Sequence, residues 1–226
     1  MECIKGMLHL INGMRWFKIK WIGFNNGVKE KVKESLSPEV NLKKKLTSIT
    51  SYLNVQNNKL DVAAARLREK DRYYYLKVLD SLKVGNREKA IVYANELAEV
   101  RKALKTISYI RIAIEQVTVR LSTVKAVGEA AAIIAPAIKV VDKARSTISD
   151  ILPQAEREFT NVIDQLNGVL IETMQMGGAT VNFSASNMEA EKILNKAVLQ
   201  VEEEMRAKLP PVPLSMEELS REEIAI

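Results

Sequence analysis

The chain reads DSLKVGNREKAIVYANELAEVRK over residues 80–102, at the middle of a stretch without proline that covers residues 39–135. Only two glycines, Gly85 and Gly128, interrupt that stretch, and its apolar residues recur at helical spacing. Gly85 suits the left-handed cap that ends one helix, and Asn86 suits the N-cap that opens the next. A link this short forces two consecutive helices to lie antiparallel. The segment therefore predicts a hairpin turn at Gly85 and Asn86.

The two helices of the hairpin are outlined by their apolar stripes. Ser37-Pro38-Glu39 opens the first helix with an N-cap serine and a proline at the first helical position. Steps of four and three residues then form a heptad seam: Leu42, Leu46, Ile49, Leu53, Gln56, Leu60, Ala63 and Leu67, shifting afterwards to Tyr74, Val78 and Leu82. The second helix presents Ala90, Ala94, Leu97, Leu104, Ile107, Ile114, Val117, Leu121 and Val124. We predict an all-α fold built on a long antiparallel helical hairpin over about residues 38–127.

Shorter helices are predicted after the hairpin. Pro136 and Pro153 bracket one of them and residues 154–176 form another, so short packed helices over about 137–176 complete a core of residues 37–176. Residues 177–187 are rich in Gly, Ala, Thr, Asn and Ser and are typical of a linker.

The last helix is predicted to begin at a capping box, Ser186 with Glu189, and to end near Lys208. One face carries Ile193, Ala197, Val201 and Met205, and the opposite face carries three consecutive glutamates, residues 202–204. Residues 177–208 are thus interpreted as a linker followed by an acidic amphipathic helix that docks on the basic hairpin or is released from it.

The N-terminal segment, residues 1–36, concentrates aromatic and basic side chains. Its candidate membrane-binding residues are Arg15, Trp16, Phe17, Lys18, Lys20, Trp21 and Phe24. A helix and a strand fit the spacing equally well, and both give an aromatic face with a basic flank, as in segments that lie in a membrane interface. The alternative is that these aromatics pack the segment onto the helical core. Met14 is an alternative start of the chain.

The C-terminal segment, residues 209–226, begins with three prolines in four residues. Leu209, Pro210, Val212, Pro213 and Leu214 form its candidate docking motif. Proline-rich chains of this kind are stiff and extended, and they bind in grooves that accept alternate apolar side chains. The alternative is a helix terminator, which needs only one proline.

Charge and composition indicate which partners to expect. The net charge is +6, but residues 1–108 carry an excess of 11 positive charges and residues 109–226 an excess of five negative charges. The basic half could bind anionic lipid, nucleic acid or the acidic half of the chain. Cys3 and His9 are the only cysteine and histidine, and no glycine-rich phosphate loop is present. We therefore expect that the protein is not an enzyme and that it binds no metal ion and no cofactor. The apolar run at residues 130–138 is too short to span a bilayer.

A basic hairpin, shorter helices, an acidic tethered helix and a terminal proline motif occur here in the order found in the ESCRT-III family. The chain most resembles the cell-division ESCRT-III proteins of crenarchaeal archaea, and residues 85–102 carry the resemblance most clearly. Leu209, Pro210, Val212 and Pro213 match the family's proline-type motif, which binds the MIT domain of a partner AAA ATPase. Only residues 215–226 follow the motif, as in the shorter members without a winged-helix-like tail.

The resemblance implies a subunit that forms filaments with itself and with paralogous subunits. Such a filament would assemble at the division site, on the cytoplasmic face of the membrane, and drive constriction and scission until the ATPase extracts its subunits. Two alternatives remain from the residues alone: a basic helical protein associated with DNA, and a generic coiled-coil scaffold.

Overall fold

The computed structural model describes residues 38–177 and 182–212. These residues form five α-helices and no strand, which confirms the predicted all-α class. The helices are α1 (Pro38–Lys83), α2 (Arg87–Ser122), α3 (Val127–Ile148), α4 (Pro153–Gly177) and α5 (Phe183–Lys208).

Helices α1 and α2 form the hairpin. Gly85 adopts a φ of 72°, in the left-handed region that favours glycine, and the Asn86 side chain accepts a hydrogen bond of 3.0 Å from the Lys89 N–H. The link between the helices has three residues, because Val84 belongs to it as well. Asp71 pairs with Arg101, and Asp61 pairs with Arg111. In each pair the two residues are equally distant from Asn86 along the sequence, so the two helices run antiparallel.

Substituting alanine for Gly85 should lower the free energy of unfolding by about 1 kcal/mol, since a Cβ is strained at this φ although the space around it is open. The matched control is Gly168→Ala, inside α4. That site is equally open but has no positive φ, so alanine should raise the free energy of unfolding by about 1 kcal/mol. Urea denaturation measures the free energy of unfolding of both variants. Equal changes in that free energy for Gly85→Ala and Gly168→Ala would contradict the assignment of the turn.

The buried seam of α1 follows the predicted positions except between Leu60 and Val78. The predicted residues that are buried are Leu42, Leu46, Ile49, Leu53, Gln56, Leu60, Val78 and Leu82. Between Leu60 and Val78 the buried residues are Ala64 and the charged Asp71, whereas the predicted Ala63 and Leu67 are only partly buried. An unsupercoiled helix turns by about 20° per heptad relative to a strict heptad repeat, so the buried stripe moves to neighbouring positions.

Helix α3 begins at Val127, about ten residues earlier than the predicted start near 137, and Pro136 is buried inside it. The prediction that Pro136 bounds this helix was wrong. The Glu129 carboxylate accepts the backbone N–H groups of Lys125 and Ala126, at 2.6 and 3.2 Å, and so caps the earlier start. These two bonds also lower the pKa of Glu129. Pro136 has no N–H to donate to the backbone carbonyl of Ala132, four residues earlier. Ala132 lies on the exposed side of α3, where water can bond to this carbonyl instead.

Helix α5 begins at Phe183, with Asn182 rather than Ser186 as its N-cap. The Asn182 side chain accepts the Ala185 N–H at 3.0 Å. Ser186 is buried inside the helix, and Glu189 pairs with Arg120. The predicted capping box was therefore wrong, because asparagine caps as well as serine and the extra turn places Ser186 and Ala190 against the core.

The core is shared by all five helices. Helix α4 runs antiparallel along α1, as the pairs Lys45–Glu172 and Lys59–Glu158 show, and α5 packs on α2 and α3. A separate apolar group, here called the end cluster, lies beside the hairpin turn. Its buried members are Val78, Leu82, Ala90 and Ala94.

Candidate functional site

The candidate site of the described residues is the surface where the C-terminal part of the chain lies on the hairpin. No group of three or more His, Cys, Asp or Glu side chains in residues 38–177 and 182–212 could hold a metal ion. None of the helices in those residues is long and apolar enough to cross a membrane. The C-terminal part of the chain, which folds back on the hairpin, is the part that a partner could displace.

Helix α5 is docked through its apolar face. Ile193, Ala197 and Val201, three of the four residues predicted for that face, are buried in the main core, and Met205 packs against it partly buried. Ala197 and Val201 expose none of their surface. Removal of this much apolar surface from water is the main force that holds the helix in place.

Polar contacts fix the position of α5 on the hairpin and on α3. Arg120 donates to the carboxylate of Glu189, Lys105 lies 3.1 Å from Glu202, and Lys139 donates to the side chain of Asn187. The hydrogen bond from Arg120 lowers the pKa of Glu189. The pair therefore stabilises the docked helix fully above the ordinary pKa of a glutamate, and this stabilisation is lost as the pH falls through the lowered pKa of the docked state. The charged groups are partly exposed to water, so each ion pair contributes at most about 1 kcal/mol.

The proline segment continues from α5 along the hairpin towards the turn. The Leu209 N–H donates to the Met205 carbonyl at 3.0 Å, and the Leu209 side chain packs against the main core. Arg101 Nη1 donates to the Pro210 carbonyl at 2.7 Å. Val212 packs on the end cluster. Three of the predicted motif residues are thus brought onto the hairpin, whereas Pro213 and Leu214 lie outside the described residues.

Arg101 joins this segment to the seam of the hairpin. Its Nε donates to Asp71 Oδ1 at 2.7 Å, with side-chain exposures of 17% for Arg101 and 7% for Asp71. Its buried Nη2 has no hydrogen-bond partner among the described residues. Beside the pair is a cavity of about 330 Å³ between the hairpin and the end of α5, lined partly by Leu104, Met205 and Pro210. One guanidinium therefore bridges α1, α2 and the proline segment.

Sequence reasoning missed both Asp71 and Arg101. A signal was present: Asp71 lies seven residues after Ala64 and seven before Val78, and Arg101 lies between Leu97 and Leu104 on the stripe of α2. Opposite charges at two seam positions equidistant from Asn86 indicate a pair across an antiparallel hairpin. All seven candidate membrane-binding residues, between Arg15 and Phe24, lie outside the described residues.

The relatives of this chain include two proteins of Sulfolobus acidocaldarius. The chain is 30% identical over 185 residues to Cell division protein B1, covering 82% of this chain and 85% of that protein. It is 28% identical over 183 residues to Cell division protein B, covering 81% of this chain and 70% of that protein. No protein-family profile matches the chain. No solved structure matches it either.

Proposed function

The chain belongs to the family of crenarchaeal ESCRT-III cell division proteins, and we propose that it is a filament subunit that remodels the membrane during archaeal cell division. The relationship over about four fifths of the chain carries this proposal. Subunits polymerise with copies of themselves and with paralogues, on the cytoplasmic face of the membrane at the division site. They drive constriction and scission without an enzymatic reaction of their own.

The outer face of α1 supports the filament proposal. At 1.5 Å per residue the 46 residues of α1 span about 69 Å, and half-exposed Val55, Val62 and Leu76 lie on its solvent side. Their positions differ by multiples of seven, so they form a second stripe parallel to the buried seam. The three residues extend from position 55 to position 76, about 32 Å, with the charged Glu69 between Val62 and Leu76, and they offer an apolar contact for the hairpin of a neighbouring subunit.

Substitution of this stripe tests polymerisation. Val55→Ser, Val62→Ser and Leu76→Ser together should raise the protein concentration needed for filaments at least about tenfold, because each removes apolar surface from the contact between subunits. Electron microscopy of the protein on acidic liposomes measures the concentration at which filaments form. The matched control is Val119→Ser, an exposed valine of α2, which should leave assembly unchanged. Filaments of the triple variant at the wild-type concentration would contradict the assignment of this face.

We propose that residues 1–36 hold the filament on anionic lipid, with Trp16, Phe17 and Trp21 in the interface and Arg15, Lys18 and Lys20 near the headgroups. Basic residues near an anionic surface contribute about 1 kcal/mol each. Because a filament repeats these weak contacts, its attachment is cooperative.

Cosedimentation with anionic liposomes tests the lipid contact. Replacing Trp16, Phe17 and Trp21 with alanine should reduce binding at least about tenfold, through the loss of buried aromatic surface. Tyr73→Ala, an exposed aromatic on α1, is the control. Two results together would favour the DNA-associated alternative. The wild type would bind naked duplex DNA as well as it binds liposomes, and the three substitutions would leave lipid binding unchanged.

We propose further that the proline motif (Leu209, Pro210, Val212, Pro213 and Leu214) binds the MIT domain of the AAA ATPase that disassembles the filament. The docked α5 is the closed state of the subunit, in which acidic residues of the C-terminal half cover basic residues of the hairpin such as Lys105. Polymerisation requires release of this cover.

A further inference from the structure

A second cavity of about 490 Å³ lies between the middle of α1 and the start of α4, and no residue of α5 or of the proline segment lines it. Cavities of this size suit small organic ligands. The pair Lys59–Glu158 fixes the alignment of the two antiparallel helices, so the first turn of α4 lies level with residues 63–66 of α1. Gln56 lines the cavity ten residues before Arg66, about 15 Å away along α1. The cavity is therefore elongated, and its two ends differ chemically.

One end of the cavity is cationic and lies at the N-terminus of α4. Arg66 and Arg157 line it, and neither has an ion-pair or hydrogen-bond partner among the described residues. A helical side chain leans towards the N-terminus of its helix, so Arg157 reaches the same end as Arg66. Pro153 has no N–H, and the N–H of Gln154 has no backbone acceptor in the described part of the chain. These donors are therefore available to an anionic ligand.

A phosphate monoester fits this end better than a carboxylate or a sulfate ester, each of which carries one charge. It carries nearly two negative charges at neutral pH, which two guanidinium groups balance, and a guanidinium fork binds two phosphate oxygens at once. The N–H groups and the dipole of a helix N-terminus attract the same group. The other charged residues of the lining, Lys59 and Glu158, lie 3.7 Å apart and offset each other. The net charge of the lining is thus that of Arg66 and Arg157.

The rest of the cavity offers apolar walls and one buried amide. Leu60, Ala63 and Leu152 are among the residues of the wall. At the far end Gln56 is only 2% exposed, and its buried Nε2 has no hydrogen-bond partner among the described residues. A buried donor without an acceptor is destabilising. A ligand that carries an oxygen at the end opposite its phosphate would supply the missing acceptor.

We propose that this cavity binds a soluble organic phosphate with polar groups at both ends. Arg66, Arg157 and the start of α4 hold its phosphate monoester, the apolar walls cover its chain, and an oxygen at its other end accepts from the amide of Gln56. A phospholipid fits less well, because its hydrocarbon chains would reach the buried amide without an acceptor for it. The bound ligand joins α1 to α4.

Isothermal titration calorimetry of the full chain with three probes tests the site. The probes are hexyl phosphate with a terminal hydroxyl group, plain hexyl phosphate, and hexanediol. We expect the hydroxyl-bearing phosphate to bind, plain hexyl phosphate to bind a few-fold more weakly because it lacks an acceptor for Gln56, and hexanediol not to bind, because the charge-assisted hydrogen bonds go to the phosphate. No detectable binding of the hydroxyl-bearing phosphate would overturn the proposal.

Two double variants test the cationic end. Arg66→Gln with Arg157→Gln should weaken binding of the hydroxyl-bearing phosphate at least about tenfold, because both guanidinium partners of the phosphate are lost. The matched control is Lys70→Gln with Arg87→Gln, which removes the same charge from exposed residues that do not line the cavity and should bind like the wild type. Equal losses in the two double variants would show that only net charge attracts the probe, and would overturn the site.

The far end is tested by Gln56→Leu, which removes the amide and keeps a side chain of similar size. This variant should bind hexyl phosphate equally tightly with and without the terminal hydroxyl group, because the hydroxyl oxygen has lost its donor. A variant that still prefers the hydroxyl-bearing phosphate by the same factor as the wild type would overturn the role assigned to Gln56.

Cosedimentation with liposomes that contain phosphatidic acid distinguishes a soluble ligand from a lipid headgroup. Arg66→Gln with Arg157→Gln should bind these liposomes as well as Lys70→Gln with Arg87→Gln does, because the proposed lipid contact lies in residues 1–36. A loss of liposome binding only in the variant of the cavity would assign the site to a lipid phosphate, and would overturn the soluble ligand.

Discussion

Replacing Ala197 with glutamate should release α5 from the hairpin while α1 to α4 stay folded. Ala197 is 0% exposed, between Ile193 and Val201 on the docked face, so the new carboxylate would have to enter an apolar core or force the helix off it. Burial of an unpaired charge costs several kcal/mol, more than one docked helix face with weak surface ion pairs can offset. Alanine and glutamate both favour helices, so the change acts on docking rather than on helix formation.

Amide hydrogen exchange measures this release. Protection in α5 should fall at least about 100-fold, equivalent to about 2.7 kcal/mol, while the buried amides of α1 and α2 keep theirs. Leu199→Glu is the matched control, because it places the same charge on the same helix at a residue that is 68% exposed. Unchanged protection of α5 in Ala197→Glu would contradict the closed state described above. If α5 is the cover of the subunit, the same variant should also form filaments at a lower concentration than the wild type.

The second large effect is expected at Asp71. Its replacement by alanine should lower the free energy of unfolding by about 3–5 kcal/mol, because it leaves the Arg101 guanidinium largely buried without its carboxylate. Urea denaturation measures the change. Asp61→Ala is the control. Asp61 pairs with Arg111 across the same hairpin, but its side chain is 51% exposed, so its loss should lower the free energy of unfolding by less than about 1 kcal/mol.

A double variant separates the pair from the packing around it. Asp71→Leu with Arg101→Met replaces both charges by apolar groups, and it should regain most of the stability lost in Asp71→Ala. Equal destabilisation by Asp71→Ala and Asp61→Ala would contradict the role assigned to the buried pair.

The hairpin could be predicted from the sequence because every local signal agreed. Gly85 and Asn86 mark the turn, and residues from Leu42 to Leu60 form the seam, so periodicity and capping gave the same answer. The starts of α3 and α5 were misplaced because two local rules were overridden. Pro136 is tolerated where the unpaired carbonyl faces solvent, and Ser186 was taken into the core although it is a good cap.

The candidate site was predictable only in part. Composition predicted that Leu209, Pro210 and Val212 belong to a docking motif, and the structure shows these three residues on the hairpin. Nothing local to Arg101 reveals that it binds Pro210, because the two residues are 109 positions apart and meet only through the packing of α5. Contacts between distant segments depend on how helices cross, which periodicity does not specify.

The position of Val212 has a mechanical consequence. Val212 packs on the end cluster near the turn, whereas Pro38, to which the N-terminal segment is attached, is at the other end of a helix about 69 Å long. A force applied to the chain beyond Val212 reaches α5 at its last turn. The contacts of α5 would then break one after another, Glu202 with Lys105 before Glu189 with Arg120, so the helix peels from its end and does not slide as a whole. Peeling needs much less force than shearing the same interface. The force also acts near the hairpin turn, far from the end of the subunit where the N-terminal segment is attached.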